Sequence, residues 1–154
     1  MRLSPATYAI LIGGSIAGAL DITYAIVFSA FHEVPAGRVL QSVASGLFGS
    51  KAYEGGFPMA GLGLLLHFFI MYCIAAIYYA VSLRLGLLTR RPVGSGLFYG
   101  VVVYAVMNFV VLPLSAYPHP VNLAASRLVI NLFVHMVFIG LPISLAVRRG
   151  AVRQ

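Results

Sequence analysis

Long apolar segments alternate with short polar segments along the chain. Four of the apolar segments reach the length of about 20 residues that a helix needs to cross a membrane: approximately 6–30, 58–83, 93–115 and 123–147. Each is apolar on nearly all sides, so its helical periodicity is weak, as expected for a helix surrounded by lipid. Barrel strands would be about 10 residues long with alternating polarity. The pattern therefore predicts an all-α integral membrane protein, a four-transmembrane-helix bundle that forms a single membrane domain over residues 1–154.

The connection between the first two apolar segments has a different pattern. Within residues 36–49, apolar side chains recur at helical spacing, at Val39, Val43 and Leu47. Gly49 is suitably placed to end such a helix. The pattern predicts a short amphipathic helix in the first outer loop, which either lies on the membrane surface, folds over the bundle as a lid or serves only as a connector.

The composition strengthens the assignment to the membrane. Hydrophobic residues make up 61% of the chain and charged residues 8%, whereas a soluble domain carries about 25% charged residues. The first apolar segment continues past Asp21 to Ala30, which is longer than the apolar core of a signal peptide, so it is predicted to be the first spanning helix. Cys73 is the only cysteine, which excludes an intrachain disulfide and a thiolate cluster for zinc.

The net charge of +7 is distributed unevenly between the two ends of the predicted bundle. Seven of the ten Lys and Arg residues fall on the side shared by the N-terminus, the loop between the second and third spans and the C-terminus: Arg2, Arg84, Arg90, Arg91, Arg148, Arg149 and Arg153. Because basic residues accumulate on the cytoplasmic side, both termini are predicted to be cytoplasmic. The distribution of positive charge is thus explained by the orientation of the helices in the membrane. The expected partner is the lipid bilayer, and no nucleic acid is expected.

Two pairs of glycines predict close packing between helices. Gly14 and Gly18 lie four residues apart in the first span, and Gly96 and Gly100 lie four residues apart in the third. Such pairs let helix backbones approach closely in lipid. We expect the first and third helices to meet there, although glycine is also simply common in membrane helices.

Six polar residues interrupt the spans, where such groups are costly and tend to mark function: Asp21, His67, Asn108, Arg127, Asn131 and His135. At a rise of about 1.5 Å per residue, Asp21 and His67 lie about 4–5 Å outward of their helix centres, and His135 lies near the centre. Arg127, Asn131 and His135 recur every fourth residue and share one helix face. We predict that the six residues form one ligand-binding layer in the bundle interior.

Each of these residues also has a purely structural interpretation. Asn108 and Asn131 are suited to hydrogen bonding between helices, worth about 0.6 kcal/mol each. Either histidine can be neutral and bonded to a backbone carbonyl. A carboxylate at this depth costs roughly 2.5–3.5 kcal/mol, so Asp21 must be protonated or paired. Its candidate partners are His67, His135 and Arg127, and our hypothesis is that Asp21, His67 and His135 form one coupled ionisable site.

Five stretches of the chain resemble a family of small bacterial inner-membrane proteins described as YagU-like. They are "GGSIAGALDITYA", "RVLQSVASGLFG", "GGFPMAGLGLLLHFFI", "VMNFVVLPLSA" and "HMVFIGLPISL". Together they cover nearly the whole chain and include Asp21, His67, Asn108 and His135. The resemblance implies a multi-pass protein of the bacterial inner membrane, and it implies no particular reaction or ligand.

The polar layer favours a binding or transport function. A pocket in the outer half of the bundle would bind or conduct a proton, a cation or a small polar solute, with Asp21 supplying charge and the histidines exchanging protons near neutral pH. Four helices are few for a transporter, so a homodimer is a further prediction.

Three other functions stay open from the sequence. His67 and His135 together suit a haem, and with Asp21 they suit a transition metal, which would make the protein a redox protein. A histidine could act as general base in an enzyme, with Asp21 orienting it, although no nucleophile motif supports this. Finally, the polar layer could only set the register of helices in a structural subunit of a larger membrane complex.

Overall fold

The computed structural model describes residues 4–120 and 125–152. In chain order its main helices are α1 (Pro5–Ala30), α2 (Ala36–Phe48), α3 (Gly56–Ser82), α4 (Pro92–Leu114) and α5 (Arg127–Val152). All except α2 are long and apolar enough to cross a membrane. Among the described residues there is no strand. The predicted fold class is confirmed, because the chain is an all-α, multi-pass membrane protein with four spanning helices and one short helix in the first loop.

The helix boundaries follow local chemistry. Ser4 caps α1 by accepting a hydrogen bond of 3.1 Å from the amide of Thr7, and prolines occupy the first turns of α1 and α4. Whereas α1, α3 and α4 lie close to their predicted ranges, α5 continues past the predicted end at residue 147 to Val152. The extension contains two exposed arginines, which are good helix formers and prolong the helix beyond its apolar part. The predicted first residues of this helix, 123 and 124, lie outside the described residues.

The four spanning helices pack in a ring. Helix α1 contacts α3 on one side and α5 on the other, and α4 contacts α5. Helices α3 and α4 meet through Tyr99, whose hydroxyl donates a 2.8 Å hydrogen bond to the carbonyl of Ile74 and whose ring packs against Tyr78 at 4.8 Å. We call the end of the bundle that carries α2 the lid end, and the end that carries Ser4 and Val152 the terminal end. Toward the lid end, α3 and α4 line the two sides of a cavity.

The terminal half of the bundle is densely packed. The core side chains there that are at most 1% exposed include Ala9, Ala17, Ala75, Tyr78, Ile143 and Val147. The hydroxyl of Tyr78 donates to the carbonyl of Leu88, in the loop that joins α3 to α4, at 3.3 Å. This half of the bundle provides a closely packed base for the cavity above it.

The glycine pairs pack differently from the expectation. A Cβ atom at Gly14 or Gly18 would clash with the aromatic rings of Tyr72 and Phe68 of α3. The prediction that the first and third helices meet through these glycines is therefore wrong. Helices α1 and α4 are diagonal in the ring, so each glycine pair serves a neighbouring helix instead.

The second glycine pair belongs to the contact between α4 and α5. A Cβ at Gly96 would overlap Ser144, and one at Gly100 would overlap the backbone of His135 and Met136. Gly140 contributes from α5, since a Cβ there would overlap the backbone of Gly96. The sequence carried a signal for this helix face, because Gly140 and Ser144 form a further pair of small residues four positions apart.

Two of the spanning helices widen into π-helical turns before a proline. The turns are Met107–Val111 in α4 and His135–Gly140 in α5, and Pro113 and Pro142 follow them. A proline inside a helix has no amide to donate, and its ring clashes with the carbonyl four residues earlier. A wider turn accommodates that clash, and such turns occur frequently at functional sites. Here one of them begins at His135.

Helix α2 covers the lid end of the bundle. Ala44 and Ser45 are fully buried, and Gly63 of α3 leaves room for the backbone carbonyl of Leu40. The side chain of Gln41 donates a 2.9 Å hydrogen bond to the carbonyl of Gly56. Of the interpretations of this segment, the structure supports the lid, because the buried face of α2 lies against α3 and the cavity.

Candidate functional site

A cavity of about 300 Å³ lies inside the lid half of the bundle. Its walls are mainly apolar side chains of α3, α4 and α5, including Ile70, Val111 and Ile139. Helix α2 closes it at the lid end with Ser42, Val43 and Gly46. Its carboxyl and imidazole groups are contributed by three different helices, with Asp21 from α1, His67 from α3 and His135 from α5. An apolar pocket with a few convergent polar groups is the usual form of a small-molecule site.

His67 is held in one tautomer by the neighbouring helix. Its side chain is buried, at 6% exposed, and its Nε2 lies 2.9 Å from the carbonyl oxygen of Gly18 in α1. A carbonyl oxygen only accepts hydrogen bonds, so Nε2 carries the proton. In the neutral ring, Nδ1 is consequently an acceptor. The bond explains why His67 can be buried, and it leaves Nδ1 free to accept a hydrogen bond from a ligand.

His135 is held in the opposite tautomer. Its Nδ1 lies 2.8 Å from the carbonyl oxygen of Asn131, one turn earlier in the same helix, so Nδ1 carries the proton. The ring packs edge-to-face against Tyr104 of α4 at a centroid distance of 5.3 Å. Nε2 of the neutral ring is therefore the remaining acceptor. The position at the start of the π-helical turn sets the direction of this side chain relative to the cavity.

Asp21 completes the polar part of the cavity wall. It is half-buried and lines the cavity together with His67 and His135. Among the described residues, no hydrogen bond or ion pair joins this carboxyl to another side chain. A carboxylate in an apolar surrounding is strongly favoured by a positive charge beside it. The three residues therefore provide three acceptor groups: one carboxyl and two ring nitrogens.

The other three predicted site residues lie outside the wall of this cavity. Asn108 donates a 2.9 Å hydrogen bond to the carbonyl of Tyr104 in its own helix. Asn131 is half-buried and supplies the carbonyl that orients His135. Arg127 is exposed. The structure thus places Asp21, His67 and His135 around one cavity, and leaves Asn108, Asn131 and Arg127 out of its wall, although the backbone of Asn131 holds His135.

Sequence reasoning missed the polar residues at the lid end of the cavity. Ser42 of α2, Ser115 after α4 and Tyr117 in the following loop all line it. The amide of Ala116 donates a 2.8 Å hydrogen bond to the carbonyl of Gly46, which fastens this loop to α2. Burial raises the pKa of Tyr117 above its usual value of 10, and the neighbouring Tyr53 raises it further. A neutral phenol therefore lies at the cavity mouth at physiological pH.

The metal site predicted at Asp21, His67 and His135 stays a prediction. In the described part of the chain, no group of three or more His, Cys, Asp or Glu side chains has the arrangement of a metal site. Ligation of a haem by Nε2 of His67 would also break its hydrogen bond to Gly18. Haem binding through the other ring nitrogen stays a prediction.

Comparisons of the chain with protein-family models, with curated proteins and with solved structures give no match. The function must therefore be argued from the cavity itself.

Proposed function

We propose that this membrane protein binds, in its intramembrane cavity, a small molecule with a cationic, hydrogen-bond-donating head group. The observation that carries the proposal is the presence of three acceptor groups on residues that line one cavity: the carboxyl of Asp21, Nδ1 of His67 and Nε2 of His135. A primary ammonium has one positive charge, three donors and no acceptor, so it matches this set. Inside an apolar cavity, hydrogen bonds to charged groups are stronger than in water.

The packing below the cavity supports binding rather than conduction. Toward the terminal end, the cavity wall ends at Ile74, Val103 and Ile139, all of which are buried. The nearly inaccessible core that includes Tyr78 and Val147 follows directly. A proton or ion crossing the bundle would have to pass through this apolar layer, where an unpaired charge is costly.

Binding of propylammonium tests the proposal. The protein in lipid nanodiscs is titrated with propylammonium and with tetramethylammonium, which has the same charge and no N–H donor. We expect propylammonium to bind at least about tenfold more tightly, equivalent to about 1.4 kcal/mol. Asp21→Asn should weaken propylammonium binding by a similar factor, whereas Glu54→Gln, which alters an exposed carboxylate outside the cavity, should leave it unchanged. Absence of propylammonium binding, or equal binding by wild type and Asp21→Asn, would overturn the proposal.

We further propose that the protein lies in a bacterial inner membrane with its termini in the cytoplasm and is related to YagU-like proteins. The position of seven of the ten Lys and Arg residues supports this orientation. In this orientation the lid end faces away from the cytoplasm, so a ligand would reach the cavity from the outer half of the bilayer. The homodimer and the role as a structural subunit of a larger complex stay predictions.

A further inference from the structure

An apolar groove lies beside the cavity, between α3 and α4. It measures about 130 Å³ and is lined by Ile74, Ile77, Tyr99, Val102, Val103, Val106 and Met107. Three of these residues, Ile74, Val103 and Met107, also line the cavity. The groove and the cavity therefore lie on the two sides of one thin wall.

The groove faces the hydrocarbon of the bilayer. Ile77, Val102 and Val106 are 55%, 37% and 45% exposed, and they lie well inside the spanning parts of α3 and α4. At this level the contact between α3 and α4 rests on Tyr99, which holds the two helices together on the terminal side. The gap on the lid side of Tyr99 is thus flanked by apolar side chains that contact lipid.

Met107 is the flexible part of the shared wall. It is half-buried and belongs to the π-helical turn Met107–Val111, in which the regular hydrogen bonding of α4 is altered by Pro113. A methionine side chain has three rotatable bonds and adapts to irregular spaces. Of the three residues in the shared wall, Met107 therefore has the side chain best able to move aside.

We propose that the ligand is an amphiphile with a primary ammonium head and a single alkyl chain, and that the chain leaves the cavity past Met107 through the groove between α3 and α4. The inference rests on the proposed function, since it takes the ammonium site at Asp21, His67 and His135 as given. The alkyl chain exchanges contacts with lipid for contacts with equally apolar side chains, so its insertion costs little. The ammonium exchanges lipid phosphates and water for three acceptors in a less polar surrounding, where charge-assisted hydrogen bonds are stronger.

A bulky residue in the groove tests the path of the chain. Val106→Trp places an indole in the groove, and Val110→Trp is a matched control one turn further along the same helix. Val106 and Val110 are 45% and 47% exposed, and Val110 lines neither the groove nor the cavity. Binding of decylammonium and propylammonium to both variants is measured in nanodiscs, and partition into empty nanodiscs is subtracted. We expect Val106→Trp to weaken decylammonium binding about tenfold or more and to leave propylammonium binding within about twofold, with Val110→Trp unchanged for both.

The outcomes separate this inference from the proposed function. Failure of wild type to bind propylammonium would contradict the ammonium site itself. If propylammonium binds in an Asp21-dependent manner but Val106→Trp binds decylammonium as tightly as Val110→Trp does, the ammonium site stands and the alkyl path is wrong. A decylamine with a terminal diazirine gives a second readout. Photolabelling should then concentrate on peptides that contain Ile77 or Val106, and labelling spread evenly over the lipid-facing residues would overturn the inference.

Discussion

The Nε2 atom of His67 donates a 2.9 Å hydrogen bond to the carbonyl oxygen of Gly18. The bond joins α3 to α1 directly beside the cavity, and it depends on the absence of a side chain at Gly18, where a Cβ would crowd Phe68 and Met71 of α3. One contact therefore combines close helix packing with orientation of an imidazole. Because it uses the proton on Nε2, it also decides which nitrogen of His67 is left to accept a hydrogen bond.

Replacing His67 by phenylalanine should remove this bond while keeping an aromatic ring in place. Hydrogen bonds between membrane helices are worth about 0.6 kcal/mol on average and up to about 1.7 kcal/mol. We therefore expect the substitution to lower the free energy of unfolding by about 0.6–1.7 kcal/mol. Unfolding of the purified protein by increasing SDS in mixed micelles measures it. His32→Phe is the control, because His32 is exposed and bonds only to Phe28 in its own segment. Equal loss in the two variants would show that the link between α3 and α1 is unimportant for stability.

Gly100→Ala should destabilise the contact between α4 and α5. The added Cβ would overlap the backbone of Met136, which cannot rotate away as a side chain would. Overpacking of this kind costs about 1–3 kcal/mol. Gly94→Ala in the same helix provides a matched comparison, since a Cβ at Gly94 meets nothing within 4 Å. Thermal stability in detergent should fall for Gly100→Ala and stay equal or rise for Gly94→Ala; the reverse order would contradict the arrangement of these helices.

A disulfide should form between the lid helix and the end of α4. A Cβ at Gly46 would lie 3.9 Å from the Cβ of Ser115, within the span of about 3.5–4.5 Å that a disulfide requires. In a Cys73→Ser background, Gly46→Cys with Ser115→Cys should therefore crosslink on mild oxidation and stabilise the fold by about 2–4 kcal/mol. Thiol counting by mass spectrometry detects the bond. Gly37→Cys with Ser115→Cys should not crosslink, because nothing lies within 4 Å of a Cβ at Gly37; equal crosslinking of both pairs would mean that α2 is not docked as described.

Pro142→Ala should disturb the cavity through His135. The substitution restores an amide that can bond to the carbonyl of Phe138, which favours α-helical bonding over the π-helical turn His135–Gly140. His135 would then shift relative to Asp21, and propylammonium affinity should fall about tenfold, or about 1.4 kcal/mol. Pro92→Ala is the control, because a first-turn proline replaces an amide that has no partner within the helix. Calorimetric titration of both variants with propylammonium measures the affinity. Unchanged binding by Pro142→Ala would show that the π-helical turn does not position His135 for binding.

The charge distribution predicts the orientation in the membrane. An alkaline phosphatase fusion to Gln154 should be inactive and a fluorescent-protein fusion at the same position should be bright, since seven of the ten basic residues lie on that side. A fusion inserted after Lys51, in the loop after α2, should behave in the opposite way. Phosphatase activity at Gln154 would reverse the assignment.

The ionisable part of the candidate site was predictable because few residues compete for that role. In spans so rich in apolar side chains, Asp21, His67 and His135 stand out, and helical rise alone places them at similar depths. The same reasoning could not exclude Asn108 or Arg127. A depth estimate says how far along a helix a residue lies, but not in which direction its side chain points when the helix is apolar all round. Asn108 bonds to its own helix and Arg127 is exposed.

By itself, the sequence determined that lipid surrounds the helices, how many helices span the membrane, approximately where they end and that an amphipathic helix is present. These properties depend on the length and polarity of single segments. Only the tertiary structure decided that Gly18 faces α3, that Gly100 faces α5 and that α2 closes a cavity. The reason is physical. Lipid is as apolar as the helices, so hydrophobicity does not fix how each helix is rotated, and close packing at glycines together with a few hydrogen bonds selects the neighbours.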